Sequence, residues 1–121
     1  MDNPILLLTL LMVKHTVADY FFQTSWMIKD KSIYAKRGGI AHAKLHGLLT
    51  FFVLWPLGVP AIFAIMLSAL DAFIHYHVDY VKSNWMKKHN PSPNSQPYWV
   101  AHGIDQFLHF MTYILLIVLL F

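Results

Sequence analysis

Four long apolar stretches dominate the chain, and each carries ionisable residues four positions apart. A helix needs about 20 mostly apolar residues to cross about 30 Å of hydrocarbon at about 1.5 Å per residue. The stretches from about Pro4 to Ile28, Ile40 to Leu57, Pro60 to Asn84 and Tyr98 to Phe121 meet that need. They predict an all-α fold, a four-helix transmembrane bundle forming one domain over residues 1–121. Three connections separate the spans. Lys29 to Gly39 is polar and basic, Trp55 to Pro60 is an uncharged turn marked by Pro56 and Gly58, and Trp85 to Pro97 is polar and proline-rich.

The basic residues set the orientation. Lys29, Lys31, Lys36, Arg37, Lys87 and Lys88 lie in the first and third connections, with Lys82 at the edge. Short loops rich in Lys and Arg stay in the cytoplasm, so both termini, with Asp2 and the uncharged turn, are expected on the opposite side. Trp26, Trp85, Tyr98 and Trp99 fall at the cytoplasmic boundary and Trp55 at the other, as interfacial aromatics do. The first span lacks the basic start and small-residue cleavage site of a signal peptide. A multi-pass protein of a bacterial inner membrane, with the lipid bilayer as its partner, is the expectation.

Composition sharpens this picture. Hydrophobic residues make up 57% of the chain and charged residues 12%, against about 25% charged in globular proteins. The net charge is +3, and nine Lys and Arg residues over 121 are too few for a nucleic-acid surface. There is no cysteine, which removes disulfides and thiolate metal sites. There is also no glutamate. Four of the six aspartates and seven of the eight histidines nevertheless lie inside the apolar spans.

An ionisable residue inside a span costs roughly 2.5–3.5 kcal/mol on insertion scales. Such residues therefore need partners. The first span has His15 and Asp19, the second His42 and His46, the third Asp71, His75 and Asp79, and the fourth His102, Asp105 and His109. Residues four apart share a helix face, so each helix presents one polar stripe that must point inward. Counted from the cytoplasmic boundary, all four stripes fall at nearly one level. The predicted metal ligands are His15, Asp19, His42, His46, His75, Asp79, Asp105 and His109. They suffice for two divalent ions, and imidazole with carboxylate suits Zn, Mn or Fe. A proton relay is the metal-free alternative. Bis-histidine haem does not require four buried aspartates.

Other polar residues are expected near the centre. Gln23 extends the His15/Asp19 stripe by one turn. Lys14 either snorkels or pairs with an Asp or an anionic substrate. Asp71, His102 and Gln106 are candidates for contacting ligands or substrate. His77 lies on another face, and His89 lies in a loop.

The string His15-Thr-Val-Ala-Asp19-Tyr-Phe-Phe-Gln23, with His42/His46, His75/Asp79/Lys82 and Asp105-Gln106/His109, resembles a family of small bacterial and phage membrane proteins, domain of unknown function 3307. That resemblance covers nearly the whole chain and implies the same polar set without supplying an activity. The chain is also loosely similar to inner-membrane metal-dependent hydrolases of the LexA-regulated type. The reading that follows is a membrane-embedded hydrolase whose metal pair activates water against an ester or phosphoester of a lipid or phosphorylated amphiphile. Among Asp19, Asp79 and Asp105, a carboxylate left off the metal would serve as general base. A di-iron oxidoreductase acting on acyl chains and a divalent-metal or proton transporter are the alternatives. The lateral surface of four short helices leaves room for a homodimer.

Overall fold

The computed structural model describes residues 3–121; Asp2, assigned above to the non-cytoplasmic side, lies outside them. The chain is all helical, with no strand among the described residues. Helix α1 (Pro4–Thr16) runs into a π-helical turn over Val17–Phe21, and a short helix α2 (Ser25–Asp30) follows. The three long helices are α3 (Arg37–Leu54), α4 (Ala61–His89) and α5 (Gln96–Leu120). Helix α1 packs against α3 and α5, α3 against α4, and α4 against α5.

Local chemistry explains most boundaries. Helix α1 starts where Pro4 supplies a preset φ and the Asn3 side chain accepts from the Leu6 amide at 3.0 Å. Thr24 caps α2 in the same way. Helix α3 has no side-chain cap at Lys36; instead Asp30 Oδ2 accepts from the Gly38 amide at 2.9 Å. Helix α4 ends at Asn90 in the left-handed conformation, with Lys87, Lys88 and His89 in its last turn. Gly58, at φ 91°, makes the reversal between α3 and α4.

Several predicted limits need correction. The first span does not run unbroken to Ile28: it stops at Phe21, and Phe22–Thr24 separates it from α2. The apolar residues on both sides of the break hid it. The connection from Lys29 is partly helical, since α2 reaches Asp30. The third span continues through Trp85 to His89, so His89 is an exposed helix-end residue rather than a loop residue. Three segments are long and apolar enough to cross a membrane by length and composition: Pro4–Phe21, Ala61–His89 and Gln96–Leu120. Helix α3 has 18 residues, three of them being His42, Lys44 and His46, and is not among these.

The interior is inverted relative to a water-soluble domain. His15, His42, His46, Asp71, His75 and His109 are each at most 2% exposed. Ile62, Phe63, Ile65, Phe73, Phe107 and Val118 are each more than half exposed. Such a distribution suits an apolar surrounding and a polar centre. The buried apolar cluster Leu7, Leu11, Leu54, Val59, Leu67 and Leu116 gathers where α1 begins, α3 meets α4, and α5 ends. The buried ionisable residues occupy the other end of the same helices.

Close approach of α3 to α4 depends on Gly47. A Cβ at that position would lie 2.8 Å from the Ser68 carbonyl oxygen and 3.0 Å from Ala72 Cβ. Because the obstruction is backbone, neither helix can yield without sliding. Gly47→Ala should destabilise the fold by about 1–3 kcal/mol, read as a shift in an SDS-unfolding titration of the detergent-solubilised protein. An unchanged midpoint would mean that the helices are not in register as described.

Candidate metal centre

Five histidines project from four helical segments towards two carboxylates. Asp19 comes from the π-helical turn. Its Oδ1 lies 2.9 Å from His46 Nε2 and 3.0 Å from His42 Nε2, while its Oδ2 lies 3.1 Å from His15 Nε2. Asp79 comes from α4. Its Oδ2 lies 3.2 Å from His75 Nε2 and 3.4 Å from His42 Nε2, and its Oδ1 lies 3.2 Å from His109 Nε2. The two groups meet where His42 Nε2 and His75 Nε2 are 3.2 Å apart.

Two sets of donor atoms are compact enough to hold an ion. One contains Asp19, His42, His46 and His75; the other contains His75, Asp79 and His109. His75 belongs to both. Donors around a tetrahedral ion with bonds of about 2.0–2.1 Å stand about 3.3 Å apart. The contacts above bracket that spacing. Imidazole rings stack through the centre, with His75 3.5 Å from His46 and 4.1 Å from His109 between centroids.

The remaining predicted residues adjoin these sets without belonging to them. Gln106 Nε2 donates to Asp105 Oδ2 at 3.0 Å, since a carboxylate only accepts. That fixes the amide, so Gln106 Oε1 accepts from His15 Nε2 at 3.0 Å. His15 Nδ1 then accepts from the Tyr113 hydroxyl at 2.8 Å. His15 thus orients Asp19 with the nitrogen that a metal would need. Asp105 Oδ1 stands 3.5 Å from His109 Nε2.

Lys14 does not snorkel. It is 5% exposed, and its Nζ lies 2.7 Å from Asp71 Oδ2, which also accepts from Thr50 Oγ1. Lys14 reaches the edge of His46 as well, at 3.4 Å from Nδ1. Asp71 is therefore an ion-pair partner one turn from the donor sets. Gln23 lies beyond the helical segment that carries Asp19, so it does not extend that stripe; its Nε2 donates to the Asp19 carbonyl at 2.9 Å. His102 lies beside the centre on the wall of a polar cavity, and His77 points elsewhere, 3.1 Å from the Tyr34 hydroxyl.

That cavity, of about 190 Å³, opens onto Asp19, Asp79 and Asp105 between Lys31, Lys82 and His102. The pairing of Lys31 Nζ with Asp79 Oδ2 at 2.8 Å was not legible in the sequence, where Lys31 counts only as a loop cation. The turn that aims it depends on Ala35 at φ 62°, whose amide donates to the Tyr76 hydroxyl at 2.7 Å. Tyr113 continues the fourth-residue stripe of Asp105 and His109 by one turn, but a tyrosine at the edge of an apolar run reads as packing rather than as chemistry.

A family model described as "Protein of unknown function (DUF3307)" matches residues 7–121. No curated protein and no solved structure matches the chain.

Proposed function

The chain belongs to the DUF3307 family, and we propose that its buried histidines and aspartates form a dinuclear metal centre of a membrane-embedded hydrolase. The carrying observation is the convergence of five imidazole Nε2 atoms on Asp19 and Asp79, in two donor sets that share His75. Bringing so many histidine edges together away from water is costly unless a cation satisfies them. In this reading α3 is a fourth span, its polar face covered by α4, and both termini lie outside the cytoplasm. The membrane is the bacterial inner membrane.

Zinc, manganese or iron in this centre would supply Lewis acidity and lower the pKa of water. The protein's own groups do the rest. His42, His46, His75 and His109 hold the donor geometry, and His15 with Gln106 and Tyr113 orients Asp19 and Asp105. With His46 Nε2 holding a metal, the ring proton would sit on Nδ1, and Lys14 would keep Asp71 as its partner in place of its weak contact with the ring. Asp105, which lines the cavity and lies outside both donor sets, would act as the general base that accepts a proton from water. The cavity gives that water a route. The apolar cluster closes the opposite end, which favours an enzyme over a transporter needing access from both faces.

Elemental analysis of protein purified in mild detergent, without an affinity-tag metal, tests this directly. About two zinc or manganese ions per chain are expected. Two irons with a visible absorption band would move the reading to a di-iron oxidoreductase. Metal-free protein that regains none on adding divalent ions would leave a proton network and remove the hydrolase.

A further inference from the structure

A second, larger cavity plays no part in holding the metals. It is a groove of about 600 Å³ between the C-terminal half of α4 and the N-terminal half of α5. That volume falls within the about 300–1,000 Å³ of small-ligand sites. Val78, Val81, Trp85, Val100, Ile104 and Leu108 make its walls apolar. Its polar members include Lys82 and Asp105, and these two also line the 190 Å³ polar cavity. The apolar groove therefore abuts a small polar chamber holding Lys31, Lys82 and the candidate metal centre. Among the described residues Lys82 has no ion-pair partner, whereas Lys31 is committed to Asp79.

This arrangement has the polarity of an amphiphile. A helix from a second copy would need an apolar groove along its whole length, not one that ends on a lysine and a carboxylate. Val81, Val100 and Ile104 are each at least half exposed on helices apolar enough to span a membrane, so hydrocarbon can reach the groove sideways. We propose that the two cavities together bind one membrane lipid with a compact phosphoester head. Its acyl chain lies in the α4/α5 groove, and its phosphate meets Lys82 at the mouth of the polar chamber. The inference rests on the metal-centre reading for what happens to the ester, not for where the lipid sits.

Trp85 on the groove wall allows a direct test. The protein with Trp26, Trp55 and Trp99 replaced by Phe would be placed in phosphatidylcholine nanodiscs. Lipid with brominated chains, either phosphatidic acid or phosphatidylcholine, would then be titrated and the quenching of Trp85 read. Phosphatidic acid should quench at a clearly lower mole fraction. Lys82→Ala should weaken that preference about fivefold, one lysine's worth of anionic-lipid attraction. Ala101→Phe, which fills the groove, should abolish the quenching. Native mass spectrometry of the unsubstituted chain, offered both lipids equally, should show retained phosphatidic acid. Equal quenching by both lipids, with Lys82→Ala silent, overturns the proposal. So does loss of the preference to inorganic phosphate with Ala101→Phe silent, or a dimer that Ala101→Phe dissociates. Metal content is measured in the same samples. Metal without lipid preference sinks this inference alone, and lipid preference without metal keeps the lipid site while removing the hydrolase.

Discussion

Replacing His75 by Ala should empty both halves of the centre, with metal content falling from about two ions per chain to well below one. His75 is the member common to the two donor sets, and its Nε2 stands between Asp79 at 3.2 Å and His42 at 3.2 Å. Its ring stacks on both His46 and His109, so its loss also frees the neighbours to reorient. His15→Ala is the control. His15 touches Asp19 but lies in neither set, so that variant should retain most of its metal and lose activity through a misoriented Asp19. The readout is elemental analysis of both proteins after identical purification. Equal metal in wild type and His75→Ala would remove the shared-ligand assignment.

The second large effect concerns stability rather than metal. Asp71→Leu should destabilise the protein by about 3–5 kcal/mol, because it strands the Lys14 ammonium at a buried position. The pair is separated by 2.7 Å with side chains 4% and 1% exposed, and among the described residues no other carboxylate lies within ion-pair distance of Lys14. The double variant Lys14→Met with Asp71→Leu removes both ions and should recover most of the loss, since apolar replacements of a buried pair are often neutral or better. An SDS-unfolding titration of the wild type and both variants would decide it. If the double variant is as unstable as the single one, the pair serves to shape His46 and Thr50 rather than to neutralise Lys14.

The sequence reveals this centre more fully than it reveals the helices that carry it. Aspartate and histidine are costly in apolar spans, and fourth-residue spacing puts them on one face, so His42, His46, His75, Asp79 and His109 could be placed together from periodicity and depth alone. The features that the sequence conceals have other causes. The break after Phe21 falls at the short polar stretch Gln23-Thr24-Ser25, and the bulky residues Tyr20-Phe21-Phe22 and Trp26-Met27-Ile28 on either side make it read as one continuous span. The π-helical turn that carries Asp19 adds a residue to one turn without any compositional mark. Lys31 turns inward because Tyr76 and the strained Ala35 bend its loop, which are tertiary causes. Gly47 looks like any helix glycine until Ser68 is opposite it.

The tight contact at Gly47 also bears on how the chain enters its membrane. Helix α3 is 18 residues long and carries Arg37, Lys44 and two histidines, whereas α4 has an apolar window of mean hydropathy 1.6. Only a short turn through Gly58 joins them. As a span, α3 is a poor candidate to leave the translocon alone, and pairing with α4 hides its polar face before hydrocarbon meets it. The two helices would thus partition together as a hairpin. His42, His46, His75 and Asp79 would then be assembled while α5 is still being synthesised, and the last helix would close a half-built centre rather than start one.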